Sequence, residues 1–562
     1  MFEFDPDSGD LAHRGHRIKI QNQVSQVLAI LIAHAGVLVS REEFRRVLWP
    51  QDTYVDSERG LNKAICTLRA TLRDSVSKPT FIETVPRKGY RFVGVVETMN
   101  HGLIRATDAK TFGRIGSLAV LPLANHLGDR DDEYFADGMT EELISAVSRI
   151  RSLRVISRTS VMRFKETRKS ITVIARELGV DAIIEGSIAR SDGNVRITAQ
   201  LILAADDRHL WAGRFERQLR NVLELQAEIA QRIAHEIHAV VDPGDPVPLP
   251  VAEAYEAFLK ANYFRDKMTP EHLGNSVSLY RRAIELDPAY AQAYAGLAEA
   301  YFFQGVFGIA PSREVFPKAR SSALRALDLD AKLGAAYNAL AAVRILYDWD
   351  WPGAEAACRN AITLSPGDPA GHVHLADYLS IQGAHDEAIA RFRQALTMDP
   401  ISRVYLAHFA LILYRARRFE EAIDQCQRAL DIDPTYANAM WFMALAIEKE
   451  AGPSDSIPVW EKAVAVSGGA PYFRALLGRA YAHVGERARA VRILKDLEAH
   501  ESPFNLAIVH LALGNLEMGF DLLEEAYEQR VFRLLELTWP MFDDVRGEPR
   551  VKAIVRRIGL LV

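Results

Sequence analysis

The pattern of apolar and polar positions divides the chain into three stretches with different periodicities. In the first hundred residues, short alternating segments separated by Asp, Gly and Pro predict a small β meander; they lie at 2–4, 11–12 and 18–20. Apolar residues then recur at helical spacing over 22–35. A second helix is expected from Ser40 to near Trp49, because Ser-Arg-Glu-Glu at 40–43 has the form of a capping box.

The stretch from Asp56 to Phe92 predicts a third helix followed by a tight hairpin. One helical face is apolar, and it carries Leu61, Ile65, Leu68 and Leu72. The opposite face is polar, and it carries Arg59, Asn62, Lys63, Cys66 and Arg73. Between Arg59 and Arg91 there are eight Lys or Arg residues against two acids, Asp74 and Glu83. A cationic helix and hairpin tip suit duplex DNA, because a helix fits the major groove and cations pair with phosphates.

These motifs resemble the OmpR/PhoB-type winged-helix DNA-binding domain over about residues 1–97. The matching segments are VSREEF at 39–44, LW at 48–49, DSERGLNKAI at 56–65 and IETVPRKGYRF at 82–92. The resemblance implies that the third helix enters the major groove and that the hairpin, or wing, meets the minor groove or backbone. Gly89 is expected to allow the tight wing turn, and Tyr90 and Phe92 are expected in the core.

The same resemblance assigns the candidate DNA contacts by position. The implied base or nearby phosphate contacts are Arg59, Asn62, Lys63 and Cys66, the implied backbone contacts are Arg69 and Arg73, and the implied wing contacts are Arg87, Lys88 and Arg91. Each cation taken alone is as well explained by a solvated surface charge. Taken as a group, they favour DNA.

The sequence begins with this winged-helix domain, which is the output domain in phosphorelay regulators, so no receiver domain is expected before it. Residues 98–114 are too polar to span a membrane and are read as a linker. The prediction is a soluble, cytoplasmic, one-component regulator of bacterial type.

The second stretch, residues 115–241, alternates strands and helices and predicts a compact α/β domain. It resembles the TolB amino-terminal domain, which leaves its role open between ligand sensing and docking. The acids Asp131, Asp132 and Asp137 are best explained by a loop at a helix start. His235 and His238 lie one helical turn apart, but no third metal ligand is suggested, so they are read as solvated.

The third stretch follows a Pro-rich linker at 242–251 and shows an internal period. Pro366, Pro400 and Pro434 are 34 residues apart, and small residues recur at fixed places between them. This spacing resembles the tetratricopeptide repeat, in which paired helices stack as a solenoid. About eight repeats are expected from 255 to 530, with a capping helix near 546–558. The resemblance implies a concave groove that binds a protein or peptide partner.

Composition refines this picture without changing it. The length of 562 residues indicates several domains, and the three widely spaced cysteines indicate a reducing compartment. The net charge of the whole chain is −5, so DNA contacts must be confined to one small basic domain. The predicted fold class is multidomain and mainly α: a winged helix (1–97), a small α/β domain (115–241) and a tetratricopeptide solenoid (252–562).

The leading functional prediction is a DNA-binding transcription regulator that is not an enzyme and needs no metal or cofactor. Its predicted partners are double-stranded DNA and a protein or peptide in the repeat groove, and a dimer on DNA is compatible with this reading. One alternative is a repeat scaffold whose winged helix docks to protein, such as RNA polymerase or another regulator. The other is a ligand sensor or an enzyme within 115–241.

Overall fold

The computed structural model describes most of the chain and divides it into two compact units, residues 1–113 and 114–562. The described residues are 2–4, 11–13, 16–18, 22–33, 36, 38–48, 57–75, 79–86, 88–94, 115–125, 133–148, 150, 153–191, 194–218, 228–233, 235, 250–498 and 502–560.

Among its described residues, the first unit contains two small sheets and three helices. Its elements are β1 (Phe2–Phe4), β2 (Leu11–His13), β3 (His16–Ile18), α1 (Asn22–Ala33), β4 (Leu38–Ser40), α2 (Arg41–Leu48), α3 (Ser57–Leu72), β5 (Ile82–Val85) and β6 (Gly89–Phe92). Strands β1, β2 and β3 form an antiparallel meander, and β4, β6 and β5 form an antiparallel sheet in that order.

Local sequence signals fix the start of α2 and the apolar face of α3. The Ser40 N–H donates to the Glu43 carboxylate at 2.7 Å, and the Glu43 N–H donates to the Ser40 hydroxyl at 3.2 Å, which is the predicted capping box. The apolar face of α3 is buried against α1 and the wing strands, and its core members are Leu61, Ile65, Leu68 and Leu72.

Gly89 has a different role from the predicted one. Its φ is not among the positive values of the chain, so the wing turn does not depend on it. A Cβ at this position would instead lie 2.0 Å from the Val39 carbonyl oxygen. Gly89 is therefore required because β4 passes directly against β6.

The second unit begins with a mixed sheet of six strands. Its strands are β7 (Ser117–Val120), β8 (Ala124–Asn125), β9 (Arg154–Val155), β10 (Ala182–Ser191), β11 (Asn194–Leu203) and β12 (Arg208–Gln218). The order is β12-β11-β10-β7-β9, with β8 also paired to β10. The pairs β10–β7 and β7–β9 are parallel, whereas β10, β11 and β12 form an antiparallel meander. The predicted alternation of strands and helices is therefore confirmed for the described residues, and β10–β12 form an antiparallel end of the sheet.

The helices beside this sheet are α4 (Glu133–Val147), α5 (Arg158–Val161) and α6 (Ile171–Leu178), and residues 228–233 are also helical. Helix α4 begins at Glu133, four residues before Asp137, so the prediction that Asp137 lies in a loop at a helix start is wrong. Asp137 lies inside the helix, buried, with its carboxylate paired to Lys165. Burial raises the pKa of Asp137, and the Lys165 ammonium acts against this rise. Asp131 and Asp132 lie outside the described residues.

The rest of the unit is a solenoid of paired helices, and the described residues contain eight pairs. The pairs are Ala252–Arg265 with Pro270–Leu286, Ala291–Val306 with Ser312–Leu329, Gly334–Val343 with Trp351–Leu364, Pro369–Ile381 with His385–Met398, Arg403–Arg415 with Phe419–Ile432, Ala437–Glu450 with Pro453–Val466, Pro471–His483 with Arg487–Leu497, and Pro503–Ala512 with Leu516–Glu528. A π-helical turn, Arg344–Asp348, extends the third pair's first helix. The eighth pair is followed by the 3₁₀ turns Phe532–Thr538 and Pro540–Phe542 and by the helices Asp543–Arg546 and Pro549–Arg557.

The α/β sheet and the first repeats share one hydrophobic core, which runs from Leu118 to Tyr347. The Tyr134 hydroxyl on α4 donates to Glu256 at 2.5 Å, and a Cβ on Gly138 would meet Leu259 at 2.7 Å. The sheet region also meets the turn after the fourth pair, where the Ser157 N–H donates to the Met398 carbonyl at 2.9 Å. The linker predicted at 242–251 therefore does not separate independent cores, although residues 242–249 lie outside the described part.

Candidate nucleic-acid interface

The exposed face of α3 carries the polar side chains that the sequence places there. Asn62, Lys63 and Cys66 are exposed, and Arg73 is exposed just beyond the last turn of the helix. Because the opposite face is buried, α3 presents these groups outward as one surface. For Arg59 the structure describes the helical backbone, and its side chain lies outside the described set.

Asn62 is held by two residues from other elements. Its side-chain oxygen Oδ1 accepts a hydrogen bond from the Tyr90 hydroxyl at 2.8 Å and one from Arg41 Nη1 at 3.2 Å. Arg41 Nη2 also donates to the Tyr90 hydroxyl at 3.1 Å, and its guanidinium lies 5.2 Å from the centre of the Tyr90 ring. These contacts join α2, α3 and β6 at one point of the surface.

The wing contributes exposed charge at its tip and a paired charge on its strand. Lys88 is exposed, and its carbonyl accepts a hydrogen bond from the Arg41 N–H at 3.2 Å, so the tip is tied to the start of α2. Arg91 pairs with Glu83 at 3.1 Å across the hairpin, and both side chains are 39% exposed. A pair this exposed contributes little to stability and can be opened by a competing phosphate. Arg87 lies outside the described residues.

Arg69 differs from the other predicted contacts because it points into the domain. Its side chain is buried, and Nη2 donates to the Ile82 carbonyl at 2.7 Å and to the Thr84 hydroxyl at 2.8 Å. Both acceptors lie on β5, so Arg69 joins α3 to the wing. This placement does not fit the predicted backbone contact, and the exposed face of α3 and the wing does not include Arg69.

Arg41 belongs to the same surface, although the sequence pattern did not single it out. In the sequence it stands only as the residue after the Ser40 cap. Arg41 lies next to Asn62 because β4 pairs with β6, with Val39 opposite Tyr90. No local pattern contains that register, so no sequence signal would have found Arg41.

Two pairs of histidines lie close together in the sequence, His235 with His238 and His372 with His374. His235 is exposed, and His238 lies outside the described residues. His372 is buried and His374 partly buried on one repeat helix, and burial lowers the pKa of His374 to about 4. Across the described ranges, no three His, Cys, Asp or Glu side chains form a group that could hold a metal ion.

The chain's own C-terminal segment, residues 531–546, packs against the first helices of the later repeats. Trp539 is 4% exposed and lies 6.0 Å from Trp441, measured between ring centres. Arg479 donates to the Met541 carbonyl at 3.0 Å, and the Tyr472 hydroxyl donates to Glu536 at 2.5 Å. The first helices of the sixth and seventh pairs therefore already hold a peptide segment. Trp441 is buried in this packing.

The fold and its basic face define the class of protein: a winged-helix DNA-binding domain joined to an α/β and helical-repeat unit. The comparisons agree with both parts. Residues 15–92 match the family "Transcriptional regulatory protein, C terminal", and residues 373–437 match the tetratricopeptide repeat. The N-terminal domain is thus of the OmpR/PhoB type and the solenoid is of the tetratricopeptide type, as predicted. Neither match covers 115–241, so the TolB resemblance stays a prediction.

Three relatives illustrate the range of proteins that resemble this chain. The "Putative adenylate cyclase 3" of Rhizobium meliloti is 32% identical over 193 residues, which is 32% of this chain and 32% of the relative. The cholera toxin transcriptional activator of Vibrio cholerae is 30% identical over 19% of this chain and 38% of the relative. The transcriptional regulator HilA of Salmonella typhimurium is 23% identical over 57% of this chain and 56% of the relative.

The chain thus spans from about a third to a little over half of these relatives' lengths. Two of the three relatives are named as regulators of transcription. Within the part of the chain that the structure describes, no helix is both long and apolar enough to cross a membrane.

Proposed function

We propose that this chain is a one-component transcription regulator whose winged helix binds duplex DNA and whose α/β–repeat unit receives a protein or peptide signal. The observation that carries the DNA half is the exposed face of α3 and the wing, where Asn62, Lys63, Arg73 and Lys88 point outward from a well-packed domain. An exposed cationic helix beside a cationic hairpin matches the major groove and the flanking phosphates. A surface that docks to protein has no need of this concentration of positive charge.

The proposed contacts are ordered by the kind of DNA group they reach. Asn62, Lys63 and Cys66, with Arg59, would face base edges or nearby phosphates. Arg73 and the wing cations Arg87, Lys88 and Arg91 would contact the backbone, which sets affinity rather than sequence preference. We place this activity in the cytoplasm, where bacterial DNA lies. A dimer on DNA is compatible with it.

The partner half of the proposal rests on the repeat array. Tetratricopeptide arrays present extended surfaces to other chains, and here residues 531–546 already pack against the first helices of the fifth, sixth and seventh pairs. The partner would therefore use the earlier repeats, the outer surface or the sheet face. The likeness to a relative named as an adenylate cyclase covers about a third of either chain, and we draw no enzymatic activity from it.

The test is the salt dependence of DNA binding by the full chain. The double variant Arg87→Ala, Lys88→Ala should lower the slope of log affinity against log salt by about 2, because each lost phosphate contact removes ~0.9 from it. The matched control is Arg282→Ala, Arg325→Ala, which removes two exposed cations (60% and 51% exposed) from the repeats. Equal slopes for wild type and both variants, by fluorescence anisotropy, would reject the wing assignment.

Genome-wide mapping of bound DNA tests the regulator as a whole. The full chain and a fragment of residues 1–97 should occupy overlapping sites, since the fragment contains the proposed reading surface. Their effects on transcription should differ, since the fragment lacks the input unit. Identical effects of the two proteins in cells would exclude the α/β–repeat unit as the input module.

A further inference from the structure

The orientation of the Asn62 amide is fixed by groups around it. Arg41 can only donate hydrogen bonds, because a guanidinium has five N–H donors and no acceptor. The amide atom that lies 3.2 Å from Arg41 Nη1 is therefore the carbonyl oxygen Oδ1. The Tyr90 hydroxyl donates to the same oxygen at 2.8 Å, so both of its lone-pair directions are used.

The two donors are themselves held in place. The Tyr90 ring is 4% exposed and packs edge-on against Phe44 with ring centres 6.2 Å apart, so the hydroxyl cannot turn away without disturbing the core. The Arg41 guanidinium lies over the same ring and donates to its hydroxyl at 3.1 Å. Arg41 also stands at the start of α2, where its backbone N–H is bound to Lys88.

The other amide atom, Nδ2, is bound neither by Arg41 nor by Tyr90. Asn62 is exposed on the recognition helix, and Nδ2 has no hydrogen-bond partner among the residues that the structure describes. Its two N–H groups are therefore available to a ligand, whereas the carbonyl is not. In this domain Asn62 offers hydrogen-bond donors only.

This restriction changes what an asparagine can read. Asparagine recognises adenine by accepting from N6 and donating to N7, which requires the amide oxygen to be free. Guanine presents two neighbouring acceptors, O6 and N7, in the major groove and no donor there. We propose that Asn62 reads guanine through its Nδ2 donors, and that Arg41 and Tyr90 are the positioning residues that prevent the bidentate contact with adenine. The inference rests on the proposed DNA-binding function of this face.

The decisive variant is Asn62→Asp, because it keeps the shape and the acceptor oxygen but removes the donors. The carboxylate introduced by this substitution would still accept from Arg41 and Tyr90, so the fold and its melting temperature should be retained. Selection of bound duplexes from a randomised library by the full chain should give guanine at one position for wild type. Asn62→Asp and Asn62→Ala should both lose that preference by about tenfold, the discrimination expected of one good pair of base contacts.

A second variant tests the positioning residues. In Arg41→Met, Tyr90→Phe, the donors to Oδ1 are gone and the amide is free to turn, so the preference at the same position should move from guanine towards adenine. Tyr90→Phe alone, which keeps Arg41 as the group that fixes the amide, should keep guanine. Thermal melting identifies any variant that fails to fold. If the double variant does not fold, Asn62→Asp still tests the proposal.

The outcomes separate this inference from the function on which it rests. If wild type selects adenine at the Asn62-dependent position, or if Asn62→Asp keeps the wild-type preference, the donor-only assignment is overturned while DNA binding stands. If wild type binds no duplex at any salt concentration, the proposed function itself fails.

Discussion

Arg69 holds α3 to the wing, and substituting it tests this contact directly. Its guanidinium is 8% exposed and makes two hydrogen bonds to β5, at 2.7 and 2.8 Å. In Arg69→Met these bonds are lost, while the apolar stem keeps most of its packing. Hydrogen bonds to a charged group contribute ~1.5–3 kcal/mol each. The variant has no charge to bury, and this gain offsets part of the stability that is lost with the two hydrogen bonds.

We therefore expect Arg69→Met to lower the free energy of unfolding of the first unit by about 2–4 kcal/mol. For a domain of this size, that corresponds to a drop in melting temperature of roughly 10–20 °C. Differential scanning calorimetry of residues 1–113 and of the full chain measures it. The control is Lys63→Met, an exposed residue of the same helix, which should change stability by less than about 0.5 kcal/mol.

DNA binding by the same two variants separates a structural residue from a contact. At low temperature, where both variants are folded, Arg69→Met should leave the salt slope unchanged, and Lys63→Met should weaken binding. The reasoning is refuted if Arg69→Met melts like wild type and its salt slope falls by about 1, the value expected for a lost phosphate contact. Arg69 would then reach DNA as its sequence position suggested.

Two further predictions concern the second unit. Trp539→Ala should destabilise the full chain by about 3–5 kcal/mol in urea unfolding, because it removes a buried ring from the repeat core; Leu516→Ala, at a residue that is 40% exposed, is the control, and equal midpoints would show that the C-terminal segment is not part of that core. Burial raises the pKa of Asp399, which accepts from Ser160, from 3.8 to about 6. The folded state then binds this proton more tightly than the unfolded state, so the contribution to stability is complete below pH 3.8 and is lost as the pH rises through about 6. Relative to Asp399→Asn, wild type should lose up to ~3 kcal/mol between pH 4 and pH 7, and parallel pH profiles would contradict the assignment.

Sequence alone determined the elements whose signals are local. The capping box at Ser40 predicted the start of α2, because both hydrogen bonds join residues three positions apart. The spacing of Leu61, Ile65, Leu68 and Leu72 predicted the buried face of α3, because this signal also involves residues only three or four positions apart. The period of 34 residues predicted the paired helices and their number, since each repeat packs mainly on its neighbours. The candidate cations were also found this way, because a run of charge is visible without a fold.

Only the tertiary structure determined which of these residues contact one another and which are buried. Arg69 lies in α3 and Arg73 follows directly after that helix, yet Arg69 is buried against β5 and Arg73 is exposed. Arg41 meets Asn62 because β4 pairs with β6, and that register depends on residues about fifty positions apart. The sheet domain and the C-terminal segment pack against the repeats through contacts between distant parts of the chain. Such contacts follow from how whole elements close on a shared core, and no periodicity within a single element records them.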